Sequence, residues 1–253
     1  AVTVTQGKLE GLALSSVDFD GSADYIDLGY DFEEWTEAAQ KTMSVWVKNG
    51  GNTAEARIFN TGYTGANTAF ALGVDGGVTD NKPFYFLRNT SAAALKAEFG
   101  TVMVVGQWYH FAIVQDGAND TAYIYQDGVL QATVAAVGEI TQAAGFTTNV
   151  GAHWVIANES HFDGGIRDLK LFDYALSTDQ VASLYSGSYN VTPEHWWKLD
   201  EGHATAALNN ASGAFEDSGT GTDHDGQGVS LVDASGVNGT LDLDSTLTIA
   251  ANG

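Results

Sequence analysis

The chain has 253 residues and a mass of 26.7 kDa, and its 10 Lys and Arg against 32 Asp and Glu give a formal net charge of −22. This charge argues against nucleic acid and anionic membrane surfaces as partners, because contacts to phosphate groups need cations. The chain has no Cys, which rules out disulfide bonds and thiolate chemistry. No apolar run approaches the roughly 18 residues of a membrane-spanning helix, so we expect no membrane insertion.

Short runs of alternating polar and apolar residues dominate the chain from about residue 41 onward, and Gly-rich turns separate them. This pattern predicts an antiparallel all-β domain. The clearest runs are KTMSVWVKN (41–49), NTAFALGVD (67–75), KPFYFLRN (82–89), QWYHFAIVQDG (107–117) and GIRDLKLFD (165–173). Asp127-Gly128 lies between two such runs, and both residues tolerate the positive φ of a type I′ turn, which predicts a hairpin there.

One segment near residue 180 predicts a helix, and we expect no other. Ser177 and Gln180 have the spacing of a capping box, and Gly187 follows the last apolar residue. Val181, Leu184 and Tyr185 form its apolar face. We expect this short helix to close one end of a sandwich.

Five motifs occur in an order and spacing that resemble one known family. They are VDFDGSADYIDLG (17–29), KTMSVWVKN (41–49), GQWYHFAIVQDG (106–117), YIYQDGVLQATV (123–134) and FDGGIRDLKLFDYALSTDQVASLY (162–185). Together they resemble the laminin-G-like domains of the concanavalin A-like lectin/glucanase superfamily, over about residues 7–187. The resemblance implies an antiparallel jelly-roll β-sandwich. It does not imply one function, because such domains bind sugars or proteins or act as structural modules.

The opening strand of that family, roughly W-x-L-D-E-G, is missing at the N-terminus and has its match near the C-terminus. The matching segments are WWKLDEG (196–202), EDSG (216–219) and DHDGQG (223–228). We therefore divide the chain into a jelly roll, 1–187, and an extension, 188–253, that carries the displaced strand. This strand either completes the sandwich of its own chain, which we favour, or pairs with a neighbouring subunit, because unpaired edges tend to be covered.

The resemblance also implies a structural Ca²⁺ near one sheet edge. The matching positions are Asp20, Asp24 and Asp168, and carboxylates in loops are the hard oxygen ligands that Ca²⁺ prefers. The competing interpretation is that Asp20-Gly21 and Asp163-Gly164 are only turn formers.

A second acidic cluster consists of Asp217, Asp223 and Asp225. It lacks the closing Glu of an EF-hand loop, and we expect a solvated Gly-rich loop. The six His residues show no paired spacing that would predict zinc, and His110 is expected to be a satisfied cross-strand residue.

Carbohydrate recognition needs exposed aromatic rings beside polar groups, because sugar rings stack on them. The loop aromatics Trp154, Tyr63 and Trp35 are the candidates. The other tryptophans considered are assigned to the core: Trp46, Trp108 and Trp196.

Catalysis is not predicted. The E-x-D-x-x-E string that would set two carboxylates at a retaining distance is missing, and there is no G-x-S-x-G motif. The resulting prediction is a non-catalytic structural or decoration protein of a virion or cell-surface assembly, because the Gly/Asp/Thr-rich extension is suited to packing on other subunits. The alternative is a calcium-assisted carbohydrate-binding adhesion module, and a glycoside hydrolase or polysaccharide lyase is the remote one. Partners would be copies of itself, other subunits or glycans, at the extracellular or virion surface.

Overall fold

The computed structural model describes residues 3–5, 8–10, 16–30, 32–63, 68–77, 81–89, 94–135, 137–138, 148–153, 160–188, 191–200, 215, 217–221 and 224–229. Of residues 3–5, 8–10, 33, 62–63, 68–69 and 228–229 only the backbone is described. These residues form two seven-stranded antiparallel sheets and one two-stranded sheet. Among them, no helix has the length and apolar character needed to cross a membrane.

The first sheet contains the strands that the alternating runs predict most clearly. Its strands, in spatial order, are β12 (Val129–Ala135), β11 (Thr121–Gln126), β10 (Trp108–Asp116), β5 (Gln40–Asn49), β14 (Asp163–Phe172) and β15 (His195–Trp197), with β3 (Val17–Asp20) also on β14. β14 thus pairs with β3 along its first half and with β15 along its second half. Between the halves, a register shift against β5 coincides with a positive φ of 56° at Asp168.

The second sheet lies opposite the first. Its strands, in spatial order, are β16 (Gln227–Val229), β4 (Tyr25–Asp27), β13 (Asn149–Val150), β6 (Glu55–Tyr63), β7 (Thr68–Asp75), β8 (Lys82–Arg88) and β9 (Ala94–Glu98). The two-stranded sheet consists of β1 (Thr3–Thr5) and β2 (Lys8–Glu10).

The core fills the space between the two large sheets. Alternate residues of β5 and β10, such as Val45 and Phe111, point inward and meet Ile58 and Leu72 of the second sheet in one buried cluster. Each such side chain contributes roughly 1.5–3 kcal/mol when it leaves water. This arrangement confirms the predicted antiparallel jelly-roll β-sandwich.

The predicted hairpin is confirmed. Asp127 and Gly128 have φ values of 53° and 76° and connect β11 to β12. The Asp127 carboxylate also accepts a hydrogen bond from the backbone N–H of His110 at 2.9 Å, which ties the turn to β10.

The predicted helix is α2 (Thr178–Ser186), and its capping box between Ser177 and Gln180 is formed. It does not close an end of the sandwich as we expected. Val181 and Leu184 pack on the outer face of the first sheet, in a second apolar cluster with Val114. Tyr185 is not part of that buried face, because it is 42% exposed and stacks on Trp46.

A second helix, α1 (Glu33–Glu37), was not predicted. Its N-cap residue, Phe32, is left-handed with φ 52° and makes no side-chain cap. Because the helix has one turn and no capping signal, tertiary contacts rather than local propensity hold it.

The displaced strand lies in the first sheet of its own chain, as β15 against β14. Downstream of it, β16 pairs with β4 at the edge of the second sheet. The described parts of the C-terminal segment thus add one strand to each sheet and cover backbone groups that would otherwise be unpaired.

Candidate functional site

An open polar groove of about 460 Å³ lies at one edge of the sandwich. It forms where the end of β3, the connection between β5 and β6 and the start of β14 meet. The polar side chains that line it are Asp20, Ser22, Asn52, Thr53, His161 and Asp163.

Strand pairing and glycine turns build the groove. Asp163 lies opposite Asp20 in the register of β14 and β3. Gly50 donates its N–H to the Asp163 carbonyl at 2.9 Å, and a Cβ at Gly50 would lie 2.1 Å from Asp163 Oδ1. A Cβ at Gly21, which has φ 74°, would lie 2.9 Å from the Cβ of Asp163. Only glycine fits at these two positions.

Asn52 fixes the backbone of Asp163. Its Oδ1 accepts from the Asp163 N–H at 2.8 Å, and its Nδ2 donates to the Asp163 carbonyl at 3.0 Å. Asn52 Nδ2 also donates to Asn49 Oδ1. The Asp163 carboxylate is thereby held at the groove by its main chain.

The Asp20 carboxylate organises the adjacent turn. It accepts from the N–H and hydroxyl of Ser22, at 2.8 and 2.7 Å, and from the N–H of Ala23 at 3.2 Å. Burial would raise the pKa of Asp20, but these hydrogen bonds outweigh it and lower the pKa below its usual value.

Asp24 lies behind Asp20 and is 1% exposed. Its Oδ2 accepts from the Asp20 N–H at 3.1 Å, whereas its Oδ1 is buried without a hydrogen-bond partner. Burial and then the charge of Asp20 raise the pKa of Asp24 to about 7. The same two causes raise the pKa of Asp163. Three carboxyl groups thus lie close together at this edge, and burial and their mutual repulsion favour the protonated form of Asp24 and Asp163.

The predicted calcium ligands do not come together. Asp20 and Asp24 are neighbours, but Asp168 lies at the bulge of β14, where it accepts from Lys170 Nζ and from Trp196 Nε1 at 2.7 Å. The residue that strand pairing brings to Asp20 is Asp163, which the sequence interpretation treated only as a turn former. The side chains of the predicted set are therefore not gathered at one point, and calcium binding stays a prediction. Within the described ranges, no group of three or more His, Cys, Asp or Glu is arranged to hold a metal ion.

The aromatic candidates have different outcomes. Trp154 lies outside the described residues, and of Tyr63 only the backbone, at the end of β6, is described. Trp35 is not an exposed platform, because it is 2% exposed and donates Nε1–H to the carbonyl of Phe172 at 2.9 Å.

The three tryptophans assigned to the core are instead half-buried on the outer face of the first sheet: Trp46, Trp108 and Trp196. The Arg167 guanidinium lies over the rings of Trp46 and Trp108, at 5.2 and 4.5 Å. Strand alternation places them there, since Val45 and Val47 beside Trp46 point inward.

The second acidic cluster is not a solvated loop throughout. Asp217 is buried, and its Oδ2 lies 2.6 Å from His195 Nδ1. Its Oδ1 accepts from the N–H groups of Trp196 and Gly219. Burial alone would raise the pKa of Asp217, but these hydrogen bonds outweigh it and lower the pKa. Asp225 accepts from the Asp217 N–H, and Asp223 lies outside the described residues.

His110 is a buried cross-strand residue, as expected from the sequence, but it is not fully satisfied, because its Nδ1 atom is buried without a hydrogen-bond partner among the described residues. Its Nε2 lies 2.9 Å from the Ser44 hydroxyl of the neighbouring strand. Burial, and then the charge of Lys170, lower the pKa of His110 to about 3.

Comparison with known families identifies the family to which this chain belongs. A family model described as the concanavalin A-like lectin/glucanases superfamily matches residues 20–182, well over half of the chain. The chain belongs to this family, in the branch named Laminin_G_3.

Solved structures with the same fold include several carbohydrate-binding domains. A putative carbohydrate-binding protein from Bacteroides ovatus is 15% identical with a TM-score of 0.58, and the match covers 87% of this chain and 60% of that one. The CBM40 domain of the Ruminococcus gnavus IT-sialidase is 17% identical with a TM-score of 0.55, over 68% of this chain and 96% of that one.

A heptameric SAP-like pentraxin from Limulus polyphemus is 19% identical with a TM-score of 0.51, over 70% of this chain and 84% of that one. At these identities the similarity shows the fold alone. No curated protein sequence matches the chain significantly.

Proposed function

We propose that this protein is a carbohydrate-binding module that holds a glycan in the acidic edge groove without cleaving it. The observation that carries this proposal is the convergence of carboxylate, amide, hydroxyl and imidazole groups in one open groove. Sugar hydroxyls act as both donors and acceptors, so they are best held by such a mixed set of side chains. The fold shared with carbohydrate-binding domains supports the same class of ligand.

The size of the groove suits a short stretch of a sugar chain. Its volume of about 460 Å³ lies in the usual range of roughly 300–1,000 Å³ for small-ligand pockets. Asp163 and Thr53 offer an acceptor and a hydroxyl along its wall, and Ser22 lies beside them.

Charge restricts the kind of glycan. Asp20, whose pKa is lowered, and Asp163 place carboxyl groups in the groove, and none of the described residues that line it is Lys or Arg. Uronates and sialylated or sulfated sugars would be repelled. We therefore expect neutral or amino sugars to be preferred over anionic ones.

Two features favour binding without catalysis. The Asp20 carboxylate is committed to three hydrogen bonds in its own turn, and Asp24 is buried behind it. Neither is free to act as nucleophile or acid on a bound glycosidic bond, which a pair of carboxylates must do in most glycosidases.

The assembly role predicted from the sequence rested on the Gly/Asp/Thr-rich extension as a packing surface. Within the described residues, β15 of that extension pairs with β14 of the same chain. We propose glycan binding instead because the groove and the carbohydrate-binding structures of the same fold support it, and we place it in an extracellular setting where such ligands occur.

The test is a glycan array followed by titration of the best neutral ligand into the wild-type chain and two variants. Asp163→Asn removes one of the groove's carboxylates, and Asp116→Asn changes an aspartate outside the groove, at the end of β10. We expect Asp163→Asn to weaken binding about tenfold, by loss of a charge-assisted hydrogen bond, and Asp116→Asn to bind as wild type.

Failure to bind any neutral or amino sugar, or equal affinity of wild type and Asp163→Asn, would overturn the proposal. Incubation of the bound glycan with an assay for new reducing ends tests the catalytic alternative. We expect no release, whereas release that Asp163→Asn abolishes would make the protein a hydrolase or lyase.

A further inference from the structure

A second cavity lies away from the edge groove and shares no residue with it. It has a volume of about 210 Å³ and forms where the chain before and within α1 meets β15 and the segment that follows. The residues used below are Tyr30, Phe32, Glu34, Glu194, His195 and His224, all of which line it.

Aromatic rings form most of its wall. Tyr30 and His224 are stacked with centroids 4.0 Å apart, and Phe32 meets Tyr30 edge-on at 5.3 Å. Phe32 also meets His195 edge-on at 5.0 Å, and His195 lies 5.3 Å from His224. Rings from both halves of the chain therefore surround one small space.

The backbone at Phe32 is strained to keep its ring in this wall. Its φ of 52° lies in the left-handed region, which a bulky residue rarely adopts. Such strain costs about 1–3 kcal/mol and persists where the surrounding contacts require it. The residue is 1% exposed and packs on Tyr30, His195 and His224.

Two carboxyl groups line the cavity. They belong to Glu34 and Glu194, and none of the described residues of the lining is Lys or Arg. Burial, together with the charges of Asp173, Glu34 and Asp217, raises the pKa of Glu194 against the opposing effect of His195. The His195 Nδ1 atom is already engaged by Asp217.

The same region already holds one lysine amino group against an aromatic ring, and burial lowers the pKa of this group to about 7. The buried Lys41 Nζ lies 5.7 Å from the centroid of Trp35, which also borders the cavity. Its hydrogen bonds go to the carbonyls of Thr36 and Ala38, so this amino group belongs to the fold.

We propose that this cavity binds a small organic cation, with a quaternary ammonium group as the best fit. Aromatic rings attract such a cation through the negative potential of their faces, and nearby carboxylates add to the attraction. A quaternary head group needs no hydrogen-bond acceptor, which suits a wall of rings. The volume is below that of drug-sized pockets, so the ligand is a head group rather than a large molecule.

The proposal is independent of the glycan-binding function, because the two sites have no residue in common. Protein NMR at low ionic strength provides the test, with tetramethylammonium chloride as the probe. Methylammonium chloride tests a primary ammonium group, and tert-butyl alcohol tests a neutral group of similar shape. Sodium chloride at equal ionic strength serves as the blank.

We expect tetramethylammonium to shift resonances of Tyr30 and His224 saturably and to bind more tightly than either analogue. Glu194→Gln should weaken its binding about tenfold, and Tyr30→Leu about fivefold. The matched control is Glu98→Gln, which alters an exposed glutamate on β9 and should bind as wild type. Thermal melts of all variants show that each is folded.

Three results would overturn the proposal. Equal binding of tert-butyl alcohol would make the cavity a simple apolar pocket, and tighter binding of methylammonium would make it an ion-pair site. Absence of saturable shifts in the wild type would mean that the rings serve packing alone.

Discussion

Asp163, the first residue of β14, stands directly opposite Asp20, the last residue of β3. The antiparallel pairing thus places two carboxylates at one sheet edge, and Asp24 adds a third, buried one. Burial and the charge of Asp20 raise the pKa of both Asp24 and Asp163. Proteins retain such local electrostatic conflicts mainly at functional sites, which is why this edge is the centre of the proposed binding groove.

Gly50→Ala tests how closely the turn fits Asp163. The new Cβ would lie 2.1 Å from Asp163 Oδ1, so the carboxylate must move. We expect a loss of about 1–3 kcal/mol in the free energy of unfolding, as for other overpacked sites, and weaker glycan binding. Chemical denaturation and titration measure the two effects.

The control for that variant is Gly77→Ala. A Cβ at Gly77 would have its nearest neighbour at 3.6 Å, an ordinary contact. Equal stabilities of the two variants would show that the close approach of Gly50 to Asp163 has no energetic consequence.

Asp24 makes stability depend on pH. Its pKa is about 7 in the folded protein and near 3.8 in the unfolded chain, so the folded state binds the extra proton between these values. Its contribution to stability is therefore complete below about pH 4 and declines as the pH rises towards 7. We expect Asp24→Asn, which cannot ionise, to be more stable than wild type by about 1–3 kcal/mol at pH 8.

Urea denaturation of both proteins at pH 4, 6 and 8 measures that difference. The difference in the free energy of unfolding between Asp24→Asn and wild type should be small at pH 4 and increase with pH. A gap that stays constant over this range would mean that Asp24 ionises freely in the fold.

Chelation tests the calcium prediction made from the sequence. Because Asp168 is held by Lys170 and Trp196 away from Asp20, the predicted ligands are not assembled. We expect the melting temperature to change by less than about 2 °C between excess EDTA and millimolar Ca²⁺, where a bound ion would raise it by mass action.

If calcium does stabilise the protein, the variants Asp163→Asn and Asp168→Asn show which carboxylate binds the ion. Loss of the effect in Asp163→Asn alone would place an ion at the groove. Loss in Asp168→Asn alone would restore the ligand assignment that the sequence suggested.

Asp217 anchors the C-terminal strands through His195 and the backbone of Trp196. Removal of its carboxylate leaves a buried imidazole and two N–H groups without their acceptor. We expect Asp217→Ala to lower the free energy of unfolding by about 2–4 kcal/mol and to speed proteolysis within residues 191–229. Limited proteolysis followed by mass spectrometry locates the cleavage.

Asp225→Ala is the matched control, because Asp225 is exposed and accepts one backbone N–H from Asp217. The hydrogen bonds of Asp217 lower its pKa below the ordinary value near 3.8. The stability that this carboxylate contributes is therefore fully present above about pH 3.8 and is lost as the pH falls through the pKa of the folded state. Similar protease sensitivity of the two variants would contradict the anchoring role.

The sequence by itself determined the class of fold. Alternation with a period of two predicted most of the long strands, the Asp127-Gly128 pair predicted the hairpin, and the Ser177 and Gln180 spacing predicted α2. These signals are readable because they depend on neighbours within a few residues, where backbone geometry and capping hydrogen bonds act.

Tertiary structure alone decided which side chains meet. The pairing of β14 with β3 selected Asp163 rather than Asp168 as the neighbour of Asp20. The packing of α1 buried Trp35, and the alternation of β5 placed Trp46 on the outer face. α1 and the position of α2 likewise depended on distant contacts. A shift of one residue in register moves every side chain to the opposite face, so the composition of a site made from several strands is determined only when the sheets assemble.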